Sequence, residues 1–446
     1  MNTKTINMED YFEPGFKLKP AIHVGSQSHK LFHGNPMEQA WEGFHLAAAT
    51  PGDIVVVRDY DKAFLDYWKS LMGDIHIINL PKDNTGDFLT EVILNNPKLI
   101  AHIKKHMANE SHLMVFLPTK LEKELANKLE IDLHGTPEIS DIYGTKSGIR
   151  VLSEEIGLEM PPAYICKTFL EVKKGLNQIF QQFDDVVVKH DLSLSGYFSK
   201  KLLSKPKNDN EIASLLNEIC GGTFTEGKDI VVVEGWIKNK ASLCVHIEIL
   251  KDNSYKICGG WQQIIDKDGT TYLGGGPLNI SDKALSSLIE SAHKLAEYLS
   301  KKNARGSYAP DFLVVADDET HLEPDTCALI ELNARVPYTA FPLEIVKQVR
   351  GKIGSGFCSK HIKLSQGKSF TNIKRVLEDA DLLITKKDTK ARGVVPFNIG
   401  LLPWGIFDIV AMADTWEETR DVVLEVDSLF KKREVLESIK SHNAYV

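Results

Sequence analysis

The sequence predicts an α/β unit followed by a larger α+β domain and a small C-terminal α/β module. Three observations predict it. Short apolar β-rich runs alternate with amphipathic stretches from Pro20 to about Thr136, which argues for an open, mostly parallel sheet. After Gly144 the pattern changes to closely spaced strand-like runs with inserted helices, the signature of an α+β domain. From about Ala391 the strand–helix alternation returns. A chain of 446 residues has room for about three such units, and the boundaries are read at 1–140, 141–386 and 387–446.

In the first unit the strands are AIHVG (21–25), GDIVVV (52–57), DIHIINL (74–80) and HLMVFLP (112–118). Helical patterns lie between them, at DKAFLDYWKSLM (61–72) and LTEVILNNPKLIAHIKKHM (89–107). No GxGxxG follows the first strand, so a dinucleotide domain is not predicted and a scaffold or cleft wall is. The second unit opens with the helix TKSGIRVLSEEIG, stopped by Gly157 and Pro161-Pro162. Strands follow at 185–190, 229–237, 242–250, 254–265 and 328–334, with helices at 210–219 and 282–302. The tail contributes GVVPFNIGLL and WEETRDVVLEVDSLF.

Composition narrows the function classes. Apolar residues are 43% and charged residues 26%, as in soluble globular proteins. Lys plus Arg is 53 against 61 Asp plus Glu, a net charge of −8, so a nucleic-acid partner is not expected. The most apolar window, from Ile399, holds Pro403 and Asp408 and is too short to span a bilayer, so no membrane partner is expected. The six cysteines are scattered with no CxxC pair, and the N-terminus lacks a signal-peptide pattern. The expected location is the cytoplasm.

The chemistry-bearing residues lie in the second unit. Lys189 ends the run DVVVK and precedes HDLSLSGYFSKK, read as a loop whose Ser193, Ser195 and Gly196 suit phosphate oxygens. The competing reading is a surface lysine before an ordinary turn. Glu234 interrupts the buried-looking strand VVVEGWI, and the backbone after it is placed to meet an adenine edge or simply to turn. The most specific feature is SYAPDFLVV (307–315) with ALIELNARVPYTAFP (328–342). Asp311 opens one apolar strand, and Glu331 and Asn333 share one face of another because strand residues two apart point the same way. Two carboxylates and an amide make a hard oxygen site suited to Mg²⁺ and the phosphates it bridges. Arg335 has the same parity and, if the strand runs on, adds a fixed cation for developing phosphoryl charge. The alternative for these residues is a structural Glu331–Arg335 ion pair.

From about Asp141 to Lys386 this order of features resembles the ATP-grasp superfamily. The resemblance implies ATP and Mg²⁺ as cofactors and a role for each matching position. Lys146 in GTKSGIR and Lys189 stand at its two ATP-contacting lysines, and Glu234, Gly235, Trp236 and Ile237 at its adenine hinge. Asp311, Glu331 and Asn333 match its magnesium ligands and Arg335 the arginine after them, while Arg305-Gly306 resembles a further phosphate- or intermediate-binding segment. Ala241 falls where several relatives carry a ribose-binding acid. The stretch from VFLPTKLEKELANKLE to GLEMPP is similar to the pre-ATP-grasp region of peptide ligases related to the pheganomycin enzyme, and the C-terminal module is similar to their tail.

The resemblance implies an ATP-dependent carboxylate–amine ligase that works through an acyl phosphate. Its partners would be a small carboxylate and an amine, amino acid or peptide, with a homodimer left open. Two alternatives stand beside it: a nucleotide-binding regulatory protein without turnover, and a kinase with a hydroxyl acceptor. Elsewhere, His102 and His106 lie one helical turn apart but lack a third ligand in the nearby sequence, so a metal site is not expected there. GGG at 274–276 is read as a loop and KLEKELANKLE as a solvated helix face. The thiols have no adjacent histidine base, so none is expected to act as a nucleophile.

Overall fold

The computed structural model describes residues 3–13, 20–28, 36–82, 86–194, 197–266, 269, 272–319, 321–365 and 367–443. The chain forms two compact units. One holds Met1–Lys4, Glu138–Leu273 and Leu278–Ala334; the other holds Thr5–Pro137, Gly274–Pro277 and Arg335–Val446. The sequence pattern places the two ends of the chain in separate units. Instead the C-terminal residues join the N-terminal ones, and the second boundary falls near Ala334 rather than Lys386. The physical reason is packing of residues far apart in sequence. Gln348 Nε2 donates to the Ala49 carbonyl at 3.2 Å, and Tyr67 Oη donates to the Ile384 carbonyl at 2.8 Å.

In this N- and C-terminal unit the four expected strands form at Ala21–Val24, Ile54–Arg58, His76–Leu80 and His112–Val115, with a short fifth at Asp132–Leu133. All pairs are parallel, and the spatial order is His76–Leu80, Ile54–Arg58, Ala21–Val24, His112–Val115, Asp132–Leu133. One face packs Ile22, Val24, Ile54, Val56, Leu113 and Val115 against Leu89, Ile93, Ile103, Leu125 and Leu129 of the helices. The single helix expected over 89–107 is two, Leu89–Leu94 and Pro97–His106. Asn96 caps the second, its side chain accepting from Leu99 N at 3.1 Å, and Pro97 occupies the first turn where its missing N–H costs nothing. Glu122 of the supposedly solvated helix Lys120–Leu129 is buried and accepts from Ser28 and Thr90.

The C-terminal part of the unit adds an antiparallel group in the order Phe357–Lys363, Ile406–Met412, Gly393–Phe397. The glycine run 274–276 is strand, not loop, and pairs with Lys360 and Ser359. It must be glycine there: Gly274 has φ +154°, and a Cβ would lie 2.1 Å from the Ser359 carbonyl oxygen.

The other unit contains two antiparallel sheets. The first runs Ala163–Cys166, Val231–Gly235, Val186–Leu194, Tyr197–Leu202 and is covered by helices Phe169–Ile179 and Asp209–Ile219. The segment after Lys189, expected as a loop, is mostly a hairpin: the strand continues to Leu194 and returns at Tyr197. The second sheet runs Cys327–Asn333, Gly306–Val315, Asn239–Ile249, Tyr255–Ile265. Helix Lys146–Ile156 is capped by Thr145 and closed by Gly157 in the left-handed region. Among the described residues, no helix is long and apolar enough to cross a membrane.

Candidate functional site

Strand register builds the site. Lys189 lies opposite Val232, so Glu234, two residues further on the same face, is its diagonal neighbour. The two meet at 2.7 Å from Nζ to Oε1. Arg150, one helical turn beyond Lys146, closes on the other oxygen of Glu234 and also donates to the Pro161 carbonyl at 2.8 Å. Glu234 is 5% exposed. Burial alone would raise its carboxyl pKa, but Lys189 and Arg150 outweigh it and hold the group below the ordinary range.

The second cluster forms where Asp311 stands directly opposite Glu331 and Ala309 opposite Asn333. A bulge between Asp311 and Phe312 follows this pair. Two like charges in opposed register repel, and the surroundings offset that. Asn333 Nδ2 donates to Asp311 at 3.1 Å and lies 3.4 Å from Glu331. From the other side Gln263 Nε2 donates to Asp311 at 3.1 Å, its own carbonyl held by the Ser242 hydroxyl at 2.9 Å.

Lys146 completes the arrangement. Its ammonium lies 2.6 Å from Glu331 and donates to the Ser193 carbonyl at 3.0 Å. Against burial, Lys146, the hydrogen-bonded Asp311 and Lys189 lower the Glu331 pKa to about 2, so this acid is ionised at neutral pH. At the start of the Lys146 helix, Ser147 N donates to Asp191 Oδ1 at 2.7 Å. The result is a set of carboxylates, amides and ammonium groups within one unit, with positive charge already drawn to the paired acids.

The predicted residues fare differently. Lys189 and Glu234 form one bonded cluster, and Lys146, Ser193, Asp311, Glu331 and Asn333 form the other. Ser195 and Gly196 lie outside the described residues. Gly235 and Trp236 follow Glu234, with their N–H groups donating to Pro162 and Asp185 at 2.9 and 3.0 Å. Ile237 is buried, and Lys201 lies 4.3 Å over the Trp236 ring. The strand carrying Glu331 stops at Asn333, so parity does not extend to Arg335. Arg335 starts the other unit, its guanidinium 4.6 Å over Phe116. Arg305 precedes Gly306 at the far end of the Asp311 strand, about 20 Å from Asp311 at the usual rise per strand residue. The structure therefore does not bring it to the acids.

Sequence reading missed Arg150, Asp191, Ser242 and Gln263. Arg150 carried a signal, the i,i+4 spacing from Lys146; Ser242 and Gln263 are joined to the site by cross-strand register, and Asp191 by the Ser147 N–H at the start of the Lys146 helix. Burial pushes the Cys166, Cys327 and Cys358 thiols up to about 12, which keeps the thiolate form of these three scarce at neutral pH.

Residues 44–131 match the family model of the Pre ATP-grasp domain. None of the curated proteins compared matches the chain. Among solved structures, the biotin carboxylase complex with β,γ-ATP from Campylobacter jejuni is 15% identical with a TM-score of 0.57, covering 90% of this chain and 88% of that one. Phosphoribosylamine–glycine ligase from Thermotoga maritima is 15% identical with a TM-score of 0.55, covering 91% and 96%. The biotin carboxylase domain of 2-oxoglutarate carboxylase from Hydrogenobacter thermophilus, a complex with MgADP, ADP and bicarbonate, is 12% identical with a TM-score of 0.54, covering 90% and 87%. The expected mixed α/β architecture, with a pre-ATP-grasp domain ahead of an ATP-grasp fold, is the fold of this chain.

Proposed function

We propose that this chain is an ATP-dependent carboxylate–amine ligase that forms an amide bond through an acyl phosphate, releasing ADP and phosphate. The observation that carries the reading is the Asp311–Glu331 pair in opposed register, served by two amides and 2.6 Å from the Lys146 ammonium. Such a pair is costly without positive charge, and the donor set is that of a hard divalent cation. Asp311, Glu331 and Asn333 would hold Mg²⁺. When bound, Mg²⁺ neutralises phosphate charge and orients the transferring group.

The chain's own residues supply the rest. Lys146 and Lys189 are each tied to a carboxylate and each able to turn toward phosphate oxygens, with Ser193, Ser195 and Gly196 contributing the adjoining segment. The stretch Glu234–Ile237 is the proposed adenine contact. With the Gly235 and Trp236 N–H groups already engaged, Ile237 is its remaining backbone donor there. Arg335 begins the other unit, with its guanidinium over Phe116, so no role at this site is assigned to it; Arg305 is left out on distance.

A substrate carboxylate oxygen attacks the γ-phosphorus and the bond to ADP breaks. The amine then attacks the acyl carbon, phosphate leaves, and the amine proton passes to solvent. No covalent enzyme intermediate is needed, and catalysis is positioning and charge stabilisation. The pre-ATP-grasp resemblance supports amino acids or peptides as the substrate class. The test is mass spectrometry of reactions with Mg²⁺-ATP and pooled amino acids and dipeptides. An amide product formed with ADP supports the ligase, a stable phosphorylated product replaces it with a kinase, and nucleotide binding without turnover on any pool counts against both.

A further inference from the structure

The parallel sheet of the N- and C-terminal unit carries a second group of ligating side chains. His76 opens the strand His76–Leu80, which lies at the edge of the sheet. His102 and His106 lie one turn apart in helix Pro97–His106. Their rings meet: the His76–His106 centroids are 4.8 Å apart, His102–His106 4.3 Å and His76–His102 5.6 Å. One nitrogen from each ring can be chosen so that all three lie within 4.8 Å of one another.

We propose that His76, His102 and His106 form a surface site for a borderline divalent transition cation of the Zn²⁺ class, separate from the carboxylate site of the other unit. The ligands are three imidazole nitrogens with no carboxylate among them, which selects against Mg²⁺ and Ca²⁺ and for imidazole-preferring metals. His106 is already oriented. Its Nδ1 lies 2.9 Å from the His102 carbonyl and donates to it, which leaves Nε2 as the ligand, the arrangement that fixes metal-binding histidines. The helix end beneath His102 and His106 presents its negative pole to a cation.

Of the lysines beside the pair, Lys104 is engaged with Glu130 at 2.7 Å. A tetrahedral ion with zinc–nitrogen bonds near 2.05 Å needs nitrogens roughly 3.3 Å apart. The nitrogens therefore close by up to about 1.5 Å on binding, and since His102 and His106 are exposed this takes side-chain rotation rather than backbone movement. Three ligands leave a fourth position for water. A filled site would tie the edge strand to the helix, and metal bound only to the folded state stabilises it.

The experiment is a Co²⁺ titration of the full chain in excess Mg²⁺-ATP, followed by its visible spectrum and displaced with Zn²⁺. The proposal expects one Co²⁺ per chain with the intense bands of a low-coordinate nitrogen site, lost on adding one equivalent of Zn²⁺. Replacing His102→Ala or His106→Gln removes an inner ligand and is expected to weaken binding about 100-fold or more, with the metal-free unfolding midpoint unchanged. Zn²⁺ should raise the wild-type midpoint and a chelator should reverse it. Absence of these bands in the wild type, or equal affinity in the variants, overturns the site. Neither result bears on the ligase reading.

Discussion

Glu234 holds two cations in a buried position, and removing its charge measures what that arrangement contributes. The side chains of Glu234, Lys189 and Arg150 are 6%, 15% and 12% exposed, so none of the three can return to water without local rearrangement. Glu234→Gln keeps the shape and leaves the Lys189 ammonium and the Arg150 guanidinium with no counter-charge. Breaking a buried pair by removing one partner costs about 3–5 kcal/mol. Taking about 3 kcal/mol, because both cations retain slight solvent contact, and about 2–4 °C per kcal/mol for a unit of this size, the midpoint falls by about 6–12 °C. Calorimetry on the purified chain reads this directly. A second measurement follows from linkage. The Glu234 pKa is depressed in the folded state, so its stabilisation is present above the unfolded carboxyl value near about 4.3 and is lost as pH falls through the folded value. The wild type and Glu234→Gln should therefore converge in acid. A midpoint shift below about 2 °C at neutral pH, or a gap that persists in acid, would refute the reasoning.

Two further perturbations test the packing and the protonation states. A Cβ at Gly235 would lie 2.5 Å from the Phe183 ring, so Gly235→Ala overpacks the strand and should cost about 1–3 kcal/mol in urea unfolding, with an unchanged m-value. His361 donates through Nδ1 to buried Asp408, which also accepts from Tyr338 and Asn398. Burial pushes the His361 pKa down and Lys363 adds to that, yet Asp408 prevails and the folded value is raised. Its contribution is then fully present below the unfolded value of about 6.5 and lost as pH rises through the folded one. The stability gap between wild type and His361→Gln should narrow from pH 6 to pH 9, and a gap constant across that range would contradict the pairing.

How much was legible follows from which forces set each feature. Strands such as Ile54–Arg58 and Val231–Gly235 are continuous β-branched runs, and their burial follows from composition. The acid pair was legible because Asp311 and Glu331 interrupt such runs. Polar strands were not: after Lys189 the residues HDLSL read as loop, yet ladder pairing with the neighbouring strand and the return at Tyr197 keep them extended. Gln263 reaches Asp311 across two strand pairings, a relation set by register that local pattern does not carry. His76 joins His102 and His106 for the same reason, since sheet order brings together residues far apart in the chain. The break at Asn95-Asn96-Pro97 was missed, although a capping asparagine followed by proline marks a helix start.

The central claim is that the Asp311–Glu331 pair serves a magnesium nucleotide. The most direct measurement is Mg²⁺-dependent ADP release by the wild type, Asp311→Asn and Glu331→Gln, each with the same amino-acid and dipeptide pool. The account predicts release by the wild type and a loss of about 100-fold or more in each variant, the scale of removing one transition-state charge contact. Undiminished release in either variant would contradict it.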